Sequence, residues 1–254
     1  MINNEIEYIK MAKAEKTLWW YKNLHNLVLS EINKLFKTKD ISILDAGCGT
    51  GGLIRFLKIQ GFNNIEGFDI SEYAVLLNKK SGLDVIKGNI SEVDKIKPKN
   101  SYDVITSNDT LYFIADNENR KLVLSSFYNI LKDNGIVIMN LPALAAFRGT
   151  HDIAVGIKNR FNLEDINQII DKNKFKIRKI IYWPFLLSPF IFLLRLIQRI
   201  NLNVLKSDKI TSDIQILPAF LNQTLFYITE FENKFIKYKP FGSSIFLVLE
   251  KIHP

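Results

Sequence analysis

Between residues 41 and about 140, short apolar runs alternate with amphipathic stretches, and turn residues separate the two. This is the pattern of repeated strand and helix units around a parallel sheet. It predicts strands at 41–45, 64–69, 84–87, 102–107 and 135–140, with helices between them that are clearest at 52–60, 72–80 and 117–131. Ser71 and Asn117 stand where helix N-caps belong, and Gly61 and Gly135 where helix-ending or turn residues belong. Past Pro142 the texture changes. A helix at 163–172 and a strand at about 175–183 precede a long apolar excursion to about residue 240, and the terminal run SSIFLVLEKI reads as a buried strand. Two late strands able to pair antiparallel make that excursion a lid grafted on the sheet. Before the sheet, residues 4–36 read as one or two helices, in which Leu24, Leu27, Val28, Ile32, Leu35 and Phe36 keep a helical apolar spacing. Trp19, Trp20 and Tyr21 do not share one buried face with them.

The expected organisation is a single domain over 1–254, with an N-terminal helical cap at 1–38, a core sheet from 41–183 and 241–252, and a helical lid at 184–240. With 254 residues, 47% hydrophobic and 24% charged, the chain can bury one sizeable core. A lone Cys48 excludes a disulfide framework, and the polar start MINNEIEYIKMAKAEK has no secretory pattern, so a cytoplasmic location is expected. The net charge of +8 suits an anionic partner, but the lysines are scattered, as on a solvated surface. Neither zinc-ligand spacing nor a nucleic-acid module is present, so no metal and no nucleic acid are expected.

The stretch ILDAGCGTGG, Ile43 to Gly52, admits two readings. Gly47, Gly49 and Gly52 satisfy G-x-G-x-x-G after a strand and before a helix, with Asp69 ending the next strand, which is the dinucleotide-binding fingerprint. Asp45 decides between them. A carboxylate at the mouth of this turn would oppose a pyrophosphate, at a cost on the order of a few kcal/mol in a partly dry site. It suits a cationic ligand instead.

S-adenosyl-L-methionine is such a ligand, with an ammonium and a sulfonium in place of phosphates. LDAGCGTGG, followed by IEGFDIS, VIKGNI, YDVITSNDTLYFI and LKDNGIVIMNLPA, resembles in order and spacing the motifs of class I S-adenosylmethionine-dependent methyltransferases. The resemblance covers residues 41–142 and, more weakly, the final strand. It implies an α/β Rossmann-like sheet of seven strands with an antiparallel last strand. It also implies that Gly47, Gly49 and Gly51 lie along the methionine part of the cofactor, where a Cβ would intrude, and that Cys48 is a small residue of the same cofactor-binding loop. Asp45 would organise the ammonium, directly or through water, Asp69 would accept from both ribose hydroxyls, Ile70 would lie beside the adenine, and Ile90 is a further cofactor-binding candidate. Asn89 stands where the family commonly has an aspartate facing the adenine amino group, so that contact lacks charge assistance. Ser107 and Asn108 would face the methionine and the incoming acceptor.

Transfer to a hydroxyl benefits from a base, whereas a thiolate or free amine needs little beyond desolvation. His151 in LPALAAFRGTHD is the leading candidate base, with Asp152 to orient its ring, and a structural hydrogen bond is the other reading of that histidine. Asp109 is a second catalytic candidate, or with Asn108 a turn-former; His25 and His253 are weaker. Trp19, Trp20, Tyr21, Tyr112 and Arg148 are candidate acceptor contacts. TLWWYKN, LPAL through THD, and the apolar insertion resemble a bacterial subgroup often found beside genes for surface polysaccharides, lipids or secondary metabolites; Arg148 departs from its pattern.

FLLSPFIFLLRLI at 185–197 spans about 20 Å as a helix, short of the roughly 30 Å hydrocarbon core, and Pro189 and Arg195 interrupt it. A buried lid helix is its leading reading. Interfacial contact, peripheral at the inner membrane face, or a channel for a hydrophobic substrate are the others, in which Arg195 and Arg199 would meet an anionic group. The expected function is methyl transfer to oxygen or nitrogen of a small or medium organic acceptor. A catalytically silent cofactor-binding protein, an RNA or protein methyltransferase and an NAD-dependent oxidoreductase are the rivals.

Overall fold

The computed structural model describes residues 5–204, 213–214 and 216–252. In chain order the elements are α1 (Glu5–Thr17), α2 (Trp19–Leu35), β1 (Ile43–Ala46), α3 (Gly52–Ile59), β2 (Ile65–Asp69), α4 (Glu72–Lys80) and β3 (Val85–Lys87). They continue with α5 (Val93–Ile96), β4 (Tyr102–Asn108), α6 (Asn117–Ile130), β5 (Leu131–Pro142), α7 (Thr150–Val155) and α8 (Leu163–Ile169). Last come β6 (Phe175–Trp183), α9 (Ser188–Val204), α10 (Ala219–Phe235) and β7 (Ser244–Lys251).

The strands form one seven-stranded sheet in the order β3-β2-β1-β4-β5-β7-β6. β1 to β5 pair in parallel, and β7 runs antiparallel to both β5 and β6. Both faces are dry, so neighbouring residues on a strand serve different cores. Leu44, Ile105, Val137, Met139 and Leu247 pack on one side, with α6 and α8 above them. Ile43, Val104, Ile136, Ile138 and Phe246 pack on the other, under α2 and α3. Continuous apolar runs in place of strict alternation follow from a sheet covered on both faces. The order reverses direction between β1 and β4, and there, beyond the carboxyl ends of the strands, the fold leaves its crevice.

Local chemistry accounts for most boundaries and for the departures from the predicted ones. Ser71 caps α4 by accepting from the Ala74 amide. The cap of α6 is Asp116, which accepts from the Asn119 amide, and Asn117 is the first helical residue, so the cap lies one position earlier than predicted. Asn134, with φ +61°, supplies the left-handed turn residue assigned to Gly135. Gly135 is required for closeness: a Cβ there would lie 2.8 Å from the Lys132 carbonyl oxygen. β5 therefore starts earlier than predicted, through a bulge opposite Tyr102 and Val104. The helix expected to 172 ends at Ile169, held at its start by a reciprocal cap between Asn162 and Asp165. Residues 5–35 are two helices broken at the extended Leu18.

The insertion differs most. α9 and α10 are helical as predicted, but α9 is not a buried lid helix: its apolar side chains face outward, with Phe190 68% and Leu194 58% exposed. Among the described residues, no helix is long and apolar enough to cross a membrane. His253 lies outside the described residues.

Candidate functional site

β1 is buried along its whole length, which places Asp45 in the dry centre of the sheet. The chain then turns sharply, and the amides of Gly47 and Cys48 both donate to the Phe68 carbonyl at the end of β2, at 2.9 and 3.0 Å. Thr110 Oγ1 donates to the Asn108 carbonyl at 3.1 Å and to that of Gly47 at 3.4 Å, fastening the loop to the end of β4. Asn78 donates to the Gly49 carbonyl at 2.8 Å from α4. Gly47, Gly49 and Gly51 all have positive φ, and the space a Cβ would take is filled by Thr110, Met11 and Asn78 respectively. Their lack of side chains therefore serves the turn and its packing, not only approach to a ligand. Cys48 is buried against Gly67, and burial pushes its thiol well above the ordinary range, which rules out a resting thiolate.

Acidic side chains gather at this loop. Asp45 accepts from Thr106 Oγ1 at 2.7 Å, and burial, with Asp69 nearby, pushes its carboxyl up to about 7. Asp69 accepts from the amides of Gly49 (2.9 Å) and Ser71 (2.8 Å), and burial raises it as well. Glu15, from α1, accepts from Thr50 Oγ1 and Arg55 and is also pushed up to about 7 by burial. Asp109 follows β4 in a left-handed conformation, φ +52°. The Asn140 side chain donates to both its oxygens at 3.2 Å, and burial pushes it up to about 7 against that bond and Arg160. Among the described residues, no lysine or arginine forms an ion pair with Asp45, Asp69 or Asp109. Two atoms nearby, Ser107 Oγ and Asn108 Oδ1, are buried without a hydrogen-bond partner.

α1 closes over this cluster. Met11 covers Gly49, Glu15 reaches Thr50, and the Tyr8 hydroxyl lies beside Asp69 and Ser71, where burial pushes it up to about 12. Next to it, Glu5, Tyr8, Ser71, Glu72 and Tyr73 line a cleft of about 240 Å³. Ile70 lies half open at the rim. Asn89 does not offer a free carbonyl to this end: its Oδ1 accepts from the Ser91 amide and caps a short turn, while Ile90 points into the core beside Phe68.

The acceptor candidates separate. Tyr21 and Tyr112 are brought together with Asp109, and burial raises both hydroxyls well above their ordinary value. Trp20 stacks on the buried Trp183, with ring centroids 5.4 Å apart, and Trp183 Nε1 donates to Asn140 Oδ1 at 2.8 Å. The Trp19 backbone amide donates to Asn222 of α10. Arg148 is exposed and donates to the Lys158 carbonyl, and it does not join the cluster. Asp152 does not orient His151. Its carboxylate is taken by Arg160 at 2.6 and 3.0 Å and by the Gly149 amide. His151 Nδ1 instead accepts from the Asp213 amide at 3.1 Å, and burial lowers its pKa. Arg195, offered for an anionic ligand, pairs with Asp213.

Sequence reading missed Glu15, Tyr8, Asn140 and Arg160. Glu15 and Tyr8 sit in a polar helix without a motif. Asn140 carried a usable signal, as the one polar side chain in the apolar run IVIMNLP that makes up the later part of β5.

Comparison with known proteins agrees with this geometry. A family model described as a methyltransferase domain matches residues 20–185. Malonyl-[acyl-carrier protein] O-methyltransferase of Bacillus cereus is 24% identical over 65% of this chain, which spans 59% of that relative's length. A second protein of that name, from Ilyobacter polytropus, is 26% identical over 70% of this chain and 71% of its own. Phosphoethanolamine N-methyltransferase 1 of Zea mays is 26% identical over 53% of this chain and 27% of its own. Among solved structures, a possible histamine N-methyltransferase of Thermotoga maritima superimposes with a TM-score of 0.59 at 16% identity, covering 97% of this chain and 95% of that one.

Proposed function

This chain belongs to the class I S-adenosylmethionine-dependent methyltransferases, and from that premise we propose that it methylates an oxygen or nitrogen of a small or medium organic acceptor. One observation carries the reading: Asp45, Asp69 and Asp109 stand out of water at the strand ends with Glu15 of α1 folded against the same loop, and among the described residues the three aspartates form no ion pair. Buried carboxylates without counter-charges are costly, and a cationic ligand removes that cost. An ammonium and a sulfonium fit; a diphosphate does not. The unpartnered Ser107 Oγ and Asn108 Oδ1 fit a ligand with polar groups at the same place.

Asp45 would hold the ammonium end, Asp69 the ribose hydroxyls, and the loop from Gly47 to Gly51 the backbone contacts between them. S-adenosylmethionine, when bound, supplies the activated methyl group. This chain's residues do the rest. α1 with Met11 and Tyr8 excludes water, Tyr21 and Tyr112 shape the acceptor side, and Asp109 takes the acceptor proton. A carboxyl pushed up to about 7 is matched to that task near neutral pH. His151 is less suited: with Nδ1 accepting the Asp213 amide, its neutral ring carries the proton on Nε2, which makes the free nitrogen a donor. Asn140 positions Asp109 and is itself fixed by Trp183.

The relatives include a malonyl-[acyl-carrier protein] O-methyltransferase and a phosphoethanolamine N-methyltransferase, one named for oxygen and the other for nitrogen. Together with the apolar insertion, they support a hydrophobic, lipid-linked or glycan-linked acceptor, of the kind made beside surface-polysaccharide genes. The domain arrangement that goes with this function is a single unit: cap, core sheet and an insertion between β6 and β7. Titration calorimetry tests the reading. The full chain should bind S-adenosylmethionine and S-adenosylhomocysteine and not NADH, and should release S-adenosylhomocysteine when given cell extract. Binding of NADH alone would overturn the assignment, and binding without turnover would leave a silent receptor.

A further inference from the structure

α9 and α10 are built inside out. On α9 the residues turned toward the protein are polar: Ser188 is buried, and Arg195 is buried and pairs with Asp213 and Gln198. The opposite stripe, Phe190, Leu193, Leu194, Ile197 and Ile200, is exposed at helical spacing. α10 repeats the arrangement. Its buried residues are Thr229 and Glu232, the latter held by Lys239 and by the amides of Phe185 and Leu186. Its outward residues are Phe220 (84% exposed), Tyr227, Phe231 and Phe235, continued past its end by Tyr238 (81% exposed). The start of α9 and the end of α10 lie side by side, where Phe185, leading into α9, packs on Phe241 beyond α10 with ring centroids 4.9 Å apart. Exposed apolar stripes on two helices of one insertion mark a surface that is covered in use.

Charge identifies the cover. α9 contains no acid; Arg195 is committed to Asp213 on the inner side, which leaves Arg199, over the Phe192 ring, as the cation of α9 in this rim. Lys234 and Lys237 are exposed beside the aromatic stripe of α10, where Glu230 is the exposed acid among the described residues. A second copy docked by the same patch would set this cationic rim against itself. An anionic bilayer meets it with opposite charge, accepts the aliphatic stripe among its acyl chains and seats the aromatic rings at headgroup depth. We propose that the α9–α10 face is an interfacial membrane-docking surface for anionic lipid bilayers. It is independent of the methyl-transfer reading, because vesicle binding requires neither cofactor nor turnover.

Flotation of the full chain with phosphatidylcholine vesicles, with and without phosphatidylglycerol, is the test. The chain should float with the anionic vesicles and much less with the neutral ones. The triple variant Phe190→Ser, Leu194→Ser, Ile197→Ser alters only exposed side chains, and it should weaken binding roughly a hundredfold while leaving circular dichroism unchanged. Lys234→Glu with Lys237→Glu leaves the apolar stripe in place and should weaken binding to anionic vesicles roughly tenfold or more. Failure of the unmodified chain to float with either vesicle overturns the proposal. So does a dimer in sedimentation equilibrium that the triple variant dissolves while vesicle binding is unaffected, since the stripe then covers a second copy.

Discussion

Replacing Asp45 by asparagine isolates the cost of keeping a carboxylate in the centre of the sheet. The change is nearly isosteric, and the new amide oxygen still accepts from Thr106 Oγ1 as the carboxylate does at 2.7 Å. What disappears is ionisation. The Asp45 carboxyl moves from 3.8 to about 7 on folding, driven first by burial and then by the charge of Asp69. Since the folded value is the higher one, the native state keeps its proton where the unfolded chain has lost it. The resulting stability is present in full below about pH 4 and is lost as the pH rises to about 7. Above that range the ionised group costs on the order of 4 kcal/mol, an upper figure because local relaxation offsets part of it. Without cofactor, Asp45→Asn should therefore be more stable than the parent by about 2–4 kcal/mol at pH 8 and equal to it at pH 4. Urea unfolding of both proteins at pH 4, 6 and 8 measures this, and the difference between them cancels other groups such as His25, which burial lowers to about 4. A difference that does not change with pH, or an unmodified protein more stable than the variant at pH 8, would refute the reasoning. The same variant should gain far less thermal stability from saturating S-adenosylmethionine than its parent does.

Four further outcomes follow from the same geometry. Asp69→Ala should weaken S-adenosylhomocysteine binding by roughly tenfold or more in calorimetry, because it removes charge-assisted hydrogen bonds; unchanged affinity would exclude Asp69 from the site. Asp109→Asn should lower kcat/KM by about 10²–10⁴ and abolish its rise through pH 7, whereas His151→Ala keeps that rise. A pH profile that follows His151 instead would move the base to α7. Gly51→Ala places a Cβ 2.1 Å from Asn78 Oδ1 at φ +75°, and should cost about 2–3 kcal/mol in thermal unfolding. Gly61→Ala, at φ +93° with open space around it, should cost about 1 kcal/mol.

The architecture was legible wherever one local rule governed a position. Buried strands such as β7 and the part of β5 beyond Gly135 are runs of apolar residues because both faces of the sheet are covered, and Ser71 caps α4 because its hydroxyl lies within reach of the Ala74 amide. Asp45, Gly47, Gly49 and Asp69 could be read because spacing along one strand-turn-helix unit sets their geometry. The reading weakened where contacts cross the chain. Glu15 and Tyr8 reach the site only because α1 folds back over the loop, and no pattern within the helix records that. Asp152 looked like the partner of His151 from adjacency, yet successive helical residues point apart, and Arg160 captures it from the following segment. α9 misled for another reason: an apolar stripe is the same in sequence whether it faces the core or the outside. Only its polar inner face, with Arg195 bound to Asp213, shows which way it turns.

A crystal structure of the full chain grown with S-adenosylhomocysteine is the most direct test of an acidic pocket made for a positively charged cosubstrate. The predicted result is an amino group held at Asp45, directly or through one water, and a ribose at Asp69. A diphosphate lying across Gly47 to Gly51 in crystals grown with NADH, with nothing bound from S-adenosylhomocysteine, would contradict it.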